Sequence, residues 1–382
     1  MDIRSAKDLL VALVRIPSVN GYITGNNDAE RELALYIQGL ASSWDLNAGR
    51  LKVKDSGNNL LITKEFKKGA PWIMFCSHMD TVSSEGMDFD PFAATEKDGR
   101  IYGRGACDDK GSIAACVWAL KELKTSPNNI AILLTIDEEQ HRGGAAAFVE
   151  EHVKSLGFKP AGVIVAEPTS LEPLVSHAGI AHFIVSVRGK AAHASDPSKG
   201  RSAIKDMMKV IEALETGYIG KLKAVDPLCG RAQCSINMIS GGRQVNAIPD
   251  LCEIRVDRRV MPGEEVDSVL PAVEKALDKL RAADPSLQVS VRSEFKDDPL
   301  YQDLNSPFIK WVLDGLKAAG LPSTPKGAQF ATDAGALSRA GFTCVVLGPG
   351  EDKLAHTAVE SISVEELEGG VNLFKSLMAR SF

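Results

Sequence analysis

No run of roughly 18 apolar residues, the length that a membrane-crossing helix needs, occurs in the sequence, so no membrane span is expected. A basic surplus is also missing. The 44 lysines and arginines stand against 50 aspartates and glutamates, a net charge of −6. That balance argues against nucleic acid as the main partner, because phosphate binding wants a basic surface. Cysteines number seven, an odd count without paired spacing, which excludes a complete disulfide framework and fits a reducing cytoplasm. Internal repeats and low-complexity segments are absent. The opening "MDIRSAKDLLVALVRIPS" has an acid at position 2 and charges within its apolar periodicity, so it reads as an amphipathic helix and not as a signal peptide.

What is present is a chain of 382 residues with 44% apolar and 25% charged content. This is a globular composition, long enough for two domains of ordinary size. Short β-branched apolar runs alternate with stretches of helical period, the pattern of a mostly parallel α/β sheet covered by helices. Strands are expected at 72–76, 130–136, 162–166 and 343–347. Helices are expected near 4–16, 28–41, 108–124, 143–155, 306–320 and 364–379. The middle differs. A strand from Ile180, a helix at 201–216, strands at 233–240 and 251–258, a helix at 265–282 and a strand at 287–293 follow the order β-α-β-β-α-β. That order is a ferredoxin-like unit able to close its own small core. Residues 175–291 therefore read as an insertion between two parts, 1–174 and 292–382, of one α/β domain.

The residues at the strand exits carry the chemistry. "WIMFCSHMD" drives an apolar run into His78 and Asp80, and "AILLTIDEEQ" ends in Glu138 and Glu139. "VIVAEPT" ends in Glu167, and "CVVLGPGEDKLAH" reaches His356 after a Gly/Pro loop. Ligands of open parallel sheets bind beyond the carboxyl ends of the strands. Between these segments "GRGACDDKG" places Asp108 and Asp109 at a helix start; its glycine spacing matches neither the dinucleotide nor the P-loop pattern. Each fragment has an ordinary reading by itself: a strand-end histidine, an acidic helix start, an aspartate cap. Their joint confinement to one rim is what needs a cause. So many carboxylates in one cleft raise each other's pKa, and divalent metals remove the conflict. Histidine and carboxylate without thiolate is the donor mix of a catalytic zinc site, and five ligands with one bridging carboxylate suit two metals about 3.5–4 Å apart.

In "SHMDTV", "GRGACDDKGS", "TIDEE", "AEPTS", "GKAAHASDP" and "LGPG…AH", taken in order, the chain resembles the di-zinc deacylase and exopeptidase family. That family contains acetylornithine deacetylase, succinyl-diaminopimelate desuccinylase, aminoacylases and glutamate carboxypeptidases. The resemblance implies two zinc ions per subunit, with cobalt able to substitute. His78 and Glu167 would hold one and Glu139 and His356 the other, with Asp108 bridging. It further implies that Asp80 orients His78 through its free ring nitrogen and that Glu138 is the general base. Within the inserted lid it implies that His193 stabilises the oxyanion across a dimer. Asn246 and Arg259 would hold the substrate's carboxylate, Arg259 being preferred to Arg258 by its spacing from Pro262 and Gly263.

The expected protein is a cytoplasmic homodimer, paired through the lid, acting on a small N-acyl amino acid. "AEPTSLEPLVSHAG" and "GKAAHASDPSKGRSAI" are most similar to the acetylornithine deacetylase branch. That branch more often carries an acidic pair just beyond the last histidine. Here "AHTAVES" offers only Glu360, which leaves the acyl and side-chain preference open. A desuccinylase or exopeptidase on the same scaffold is the rival, and a metal-binding protein without catalysis a more distant one. Cys76 and Cys107 read as small buried hydrophobes. His141, His152, His177 and His182 read as structural or surface residues.

Overall fold

The computed structural model of the protein describes residues 2–382. The chain forms two compact units: one comprises everything up to Val175 with Gln302–Lys326 and Thr332–Phe382, the other Ser176–Tyr301 with Gly327–Ala331.

In the first unit the strands Asn129–Thr135, Trp72–His78, Pro160–Val165 and Cys344–Val346 lie side by side in that order, and every neighbouring pair is parallel. Their β-branched and apolar residues are buried almost throughout, as expected of strands covered on both faces. All four therefore point their carboxyl ends to one rim. A hairpin of Asn47–Lys52 and Asn58–Lys64 adds two antiparallel strands beyond Asn129–Thr135. Nothing in the sequence announces it: the outer strand, "NAGRLK", is largely exposed and carries no apolar alternation.

The helix Lys110–Glu122 is buried continuously from Lys110 to Leu120, as befits a central helix apolar all round. It packs against the helices Ala6–Val14 and Val364–Ala379. Ser5 and Ser363 cap these last two by accepting the backbone N–H groups of Asp8 and Glu366. The expected helix at 143–155 is shorter. It is α-helical only over Gly143–Ala147, continues as a π turn over Phe148–His152 and ends in a 3₁₀ turn. Its start is pinned by close packing: a Cβ on Gly144 would lie 2.4 Å from the Ile136 carbonyl oxygen.

The second unit is a four-stranded antiparallel sheet in the order Gln233–Gly241, Leu251–Val260, Gly179–Arg188, Gln288–Asp297. Period-two burial of Ala181, Phe183, Val185 and Val187 gives it one apolar face. On that face sit Met207, Val210 and Leu214 of the helix Ala203–Gly217, with Val269, Val273 and Leu277 of the helix Val269–Ala283. This β-α-β-β-α-β unit closes a core of its own. Its last strand outruns the expected end at 293, because it stays paired with Gly179–Arg188 as far as Asp297; the unit returns to the first only after Tyr301, beyond the expected boundary at 291. The excursion Gly327–Ala331 had no signal in the sequence.

One contact in the first unit offers a direct check of packing. Gly162 lies on the Pro160–Val165 strand under the buried ring of Phe308, where an added Cβ would come within 2.3 Å of ring carbons. Gly162→Ala is expected to lower the unfolding free energy by about 1–3 kcal/mol. Urea unfolding of the metal-free protein measures this, and an unchanged midpoint would show the contact to be slack.

Candidate metal centre

His78 is the last residue of its strand and is buried. Its Nε2 lies 2.9 Å from Oδ1 of Asp108 and 3.9 Å from Oε2 of Glu167. On the other side His356 places its Nε2 3.1 Å from Oδ2 of the same Asp108 and 3.0 Å from Oε1 of Glu139. One carboxylate thus stands between two imidazole–glutamate pairs, with a different oxygen towards each. Among the described residues, donor atoms of His78, Asp108 and Glu139 lie within 4.8 Å of one another, as do those of His78, Asp109 and Glu167. His356 sits at the mouth with its side chain 51% exposed. Its backbone adopts φ +61°, an uncommon conformation for a residue with a Cβ.

Asp80 is fully buried, and its contacts differ in detail from the expected one. The nearer partner of His78 Nδ1 is the Asp80 backbone carbonyl at 3.0 Å; the carboxylate Oδ1 is 3.5 Å away. That carboxylate also accepts the backbone N–H groups of Glu138 at 3.0 Å and Glu139 at 3.1 Å, and the Asn20 amide at 2.8 Å. Asp80 therefore ties the exit of one strand to that of its neighbour. Glu138 is buried, lies outside both donor groups and has Oε1 3.2 Å from Nε of Arg142.

Two participants, Asn20 and Asp333, had no signal in the sequence. Asn20 reaches both Asp80 and Asp137 from a segment 60 residues upstream of Asp80. Asp333 is buried, with Oδ2 accepting from the Thr135 hydroxyl at 2.7 Å and Oδ1 without a partner. Asp109 gives one oxygen to the Ser77 hydroxyl, and its other is buried and unpartnered. Glu360, the one acid that closely follows the last histidine, is 1% exposed. It pairs with Arg104 and accepts the backbone N–H groups of Cys107 and Asp108. It belongs to the scaffold beneath the site, because the strand that it immediately precedes, Ser361–Ser363, pairs with Arg100–Tyr102 and turns it inward.

The electrostatics follow from burial. Desolvation raises Glu138, and raises Glu139 to about 7 with help from the charge of Asp108. Desolvation and the neighbouring Asp109 push Glu167 well up. Desolvation would raise Asp108 too, but hydrogen bonds from His356 and His78 hold it below the usual carboxylate range. His356 itself is lifted to about 10 by its hydrogen bonds to Asp108 and Glu139. Burial drives the thiols of Cys76 and Cys107 up, which keeps them from acting as thiolate ligands. Two imidazoles and several carboxylates, some with buried unpartnered oxygens, are a nitrogen–oxygen donor set that fits divalent cations.

The residues proposed for the inserted unit lie together in part. His193 is exposed on the short strand Ala192–His193, which pairs with Ala247–Ile248. The next residue, Ala194, donates its N–H to the carbonyl of Asn246 at 2.9 Å. The ring Nδ1 of His193 lies 2.7 Å from the Ser195 hydroxyl. Arg259 is half-buried and makes two bonds to Asp257, which also faces His182. Arg258 is buried against Tyr218 and Glu264, so of the two arginines only Arg259 is open to solvent to any extent.

The family model of peptidase family M20/M25/M40 matches residues 74–380. A probable succinyl-diaminopimelate desuccinylase of Staphylococcus epidermidis is 29% identical, over 93% of this chain and 94% of that protein. An acetylornithine deacetylase of Myxococcus xanthus is 30% identical over 87% of each. An M20 family metallo-carboxypeptidase from Sulfolobus solfataricus has the same fold, with a TM-score of 0.83 and 17% identity over 99% of both chains.

Protons and cations compete for this donor set. Below pH about 10 the metal-free His356 carries a proton, and Glu139 is half-protonated at about 7. Cobalt binding at pH 7.5 is therefore expected to release at least about one proton per subunit, and affinity should rise with pH up to that of His356. Calorimetry in buffers of different ionisation enthalpy counts the protons. A pH-independent affinity would contradict the assignment of His356 as a ligand.

Proposed function

The chain belongs to peptidase family M20/M25/M40, and we propose that within this family of metallohydrolases it cleaves the amide bond of a small N-acyl amino acid. The observation that carries the proposal is the one carboxylate, Asp108, shared by two imidazole–glutamate pairs, with the buried Glu138 outside both donor groups. His78 with Glu167 and His356 with Glu139 would hold two divalent cations, zinc or cobalt in its place, and Asp108 would serve both. Such cations, when bound, polarise the scissile carbonyl and make water acidic.

The chain's own groups do the rest. Asp80 fixes the backbone of the Glu138–Glu139 pair and the ring of His78. Glu138 takes a proton from the attacking water and returns it to the leaving amine. Its burial supports this role, since a carboxyl raised above its usual range releases and accepts protons nearer neutrality. A storage site without catalysis has no use for a buried carboxylate that ligates nothing. His193 donates to the developing oxyanion, and Asn246 and Arg259 hold the substrate's carboxylate. The four-stranded sheet leaves Gln233–Gly241 as an edge strand with Met238 and Ile239 exposed, which supports a homodimer joined through this unit. Seven free cysteines support a reducing, cytoplasmic setting; among the described residues no helix is long and apolar enough to cross a membrane.

Acetyl is the acyl group we favour, with N-acetylornithine as the type of substrate, on the strength of the segments around Glu167 and His193. Succinyl is the second reading, supported by the breadth of the match to the Staphylococcus epidermidis relative. A hydrolysis screen of N-acetyl, N-succinyl and dipeptide substrates with added zinc or cobalt separates them. Cleavage of dipeptides alone would replace both by an exopeptidase.

Exhaustive chelation is expected to abolish hydrolysis, and zinc or cobalt to restore it. Glu138→Gln should retain cobalt and lose about 10²–10⁴-fold in kcat, whereas Glu139→Gln should lose cobalt; equal metal content in the two would reverse their roles. His193→Ala should keep its metal and lower kcat by about 10²–10³. Mixing His193→Ala with Glu138→Gln subunits should regain activity. No recovery between subunits that demonstrably exchange would place His193 outside a shared site.

A further inference from the structure

The loop that carries Asp108 and the segment that follows His356 are joined by one buried carboxylate, and we propose that Glu360 is the positioning residue that holds Asp108 between the two imidazoles. The inference rests on the two-cation reading given above.

Glu360 and Arg104 are 1% and 2% exposed. Oε2 of Glu360 accepts from Nη1 of Arg104, while Oε1 accepts two backbone N–H groups, of Cys107 at 3.0 Å and of Asp108 at 3.1 Å. The Glu360 carbonyl accepts a third, from Gly103 at 3.1 Å. Register sets this up: Ser361 lies opposite Tyr102 in an antiparallel pair, so the residue just before Ser361 falls beside the loop that begins at Gly103. An ion pair with Arg104 needs only one oxygen. The other is aimed at successive N–H groups of the peptide that carries Asp108, and charge-assisted bonds of this kind are about twice as strong as neutral ones.

The cost shows why the arrangement needs a reason. The Glu360 carboxylate is buried close enough to Asp108 for their charges to oppose each other, and Arg104 offsets that repulsion. A plain scaffold would use a neutral acceptor. An anion holds the two N–H groups more tightly, and so fixes the one carboxylate that must present an oxygen to His78 and the other to His356. Glu360 follows His356 by four residues, so the same segment sets both members of that pair.

The test separates the acceptor from the ion pair. Arg104→Met/Glu360→Gln removes both charges but leaves an amide oxygen for the two N–H groups. Arg104→Met/Glu360→Leu removes the acceptor as well. Metal-free wild type and both variants are titrated with cobalt, and the visible absorption of the bound ion is followed. The glutamine variant, which keeps an acceptor but loses its charge, is expected to bind about three- to tenfold more weakly than wild type with a similar spectrum. The leucine variant should bind about 10–100-fold more weakly, the range seen when a group behind a ligand is removed, with an altered spectrum. Equal affinities and spectra in the two variants would overturn the inference, since a merely structural ion pair treats them alike. If the leucine variant does not fold, Glu360→Asp replaces it. That change keeps a charge for Arg104 but withdraws the acceptor by one methylene, so weaker binding is expected and unchanged binding overturns the proposal. Absence of cobalt uptake by wild type would overturn the two-cation reading and this inference with it.

Discussion

Burial of many carboxylates at one rim is the constraint on which the first unit depends. Asp80, Asp108, Asp109, Glu138, Glu167 and Asp333 are all buried, and each would be costly to leave ionised without a partner. Some compensation is built in. His78 and His356 flank Asp108, Arg142 faces Glu138, and backbone and amide donors converge on Asp80. Some is missing, as the unpartnered oxygens of Asp109 and Asp333 show. Burial and the charge of Glu138 lift Asp333 to about 8, so protons supply part of what the chain's cations do not. A cluster arranged in this way is poised for divalent cations.

The sheet supplies the geometry because its central strands are parallel and neighbouring. Strand exits spaced by one inter-strand distance bring His78 beside the Glu138–Glu139 segment on one side and Glu167 on the other. The loops then need only short reaches, and each is pinned from below. Asp80 holds the backbone of Glu138 and Glu139. Lys110, fully buried, donates to the Ile16 carbonyl at 2.7 Å and anchors the start of the central helix. Rigid elements carrying precise side chains are what a shared carboxylate requires.

The inserted unit meets a different demand. It has its own apolar core between one sheet face and two helices, so it can present polar loops without borrowing stability from the first unit. His193 lies on a short strand, Asn246 in the turn before that strand's partner and Arg259 near the end of a long strand, where side chains reach solvent at least in part while the backbone is tied down. The adjacent arginines show how finely burial sorts residues on a strand. Successive side chains point to opposite faces, so Arg258 enters the core side and Arg259 does not.

Apolar runs, their lengths and their order were enough to announce the parallel strands, the principal helices and the β-α-β-β-α-β insertion, because burial on a sheet or helix imposes a period that side chains must obey. The histidines and acids at the strand exits were legible for the same reason: an apolar strand has no use for them. What the sequence could not announce is everything that depends on two distant segments meeting. Asn20 beneath Asp80, Asp333 beside Thr135 and Arg104 against Glu360 are ordinary polar residues until the fold brings them together. Glu360 is the clearest instance. Read along the chain it was only an acid four residues beyond the last histidine; the pairing of Ser361–Ser363 with Arg100–Tyr102 turns it inward to the Asp108 loop. By itself the sequence determined the elements and the chemical types at their ends. Tertiary structure alone decided which oxygen meets which nitrogen, because that choice depends on register and burial between strands far apart in the chain.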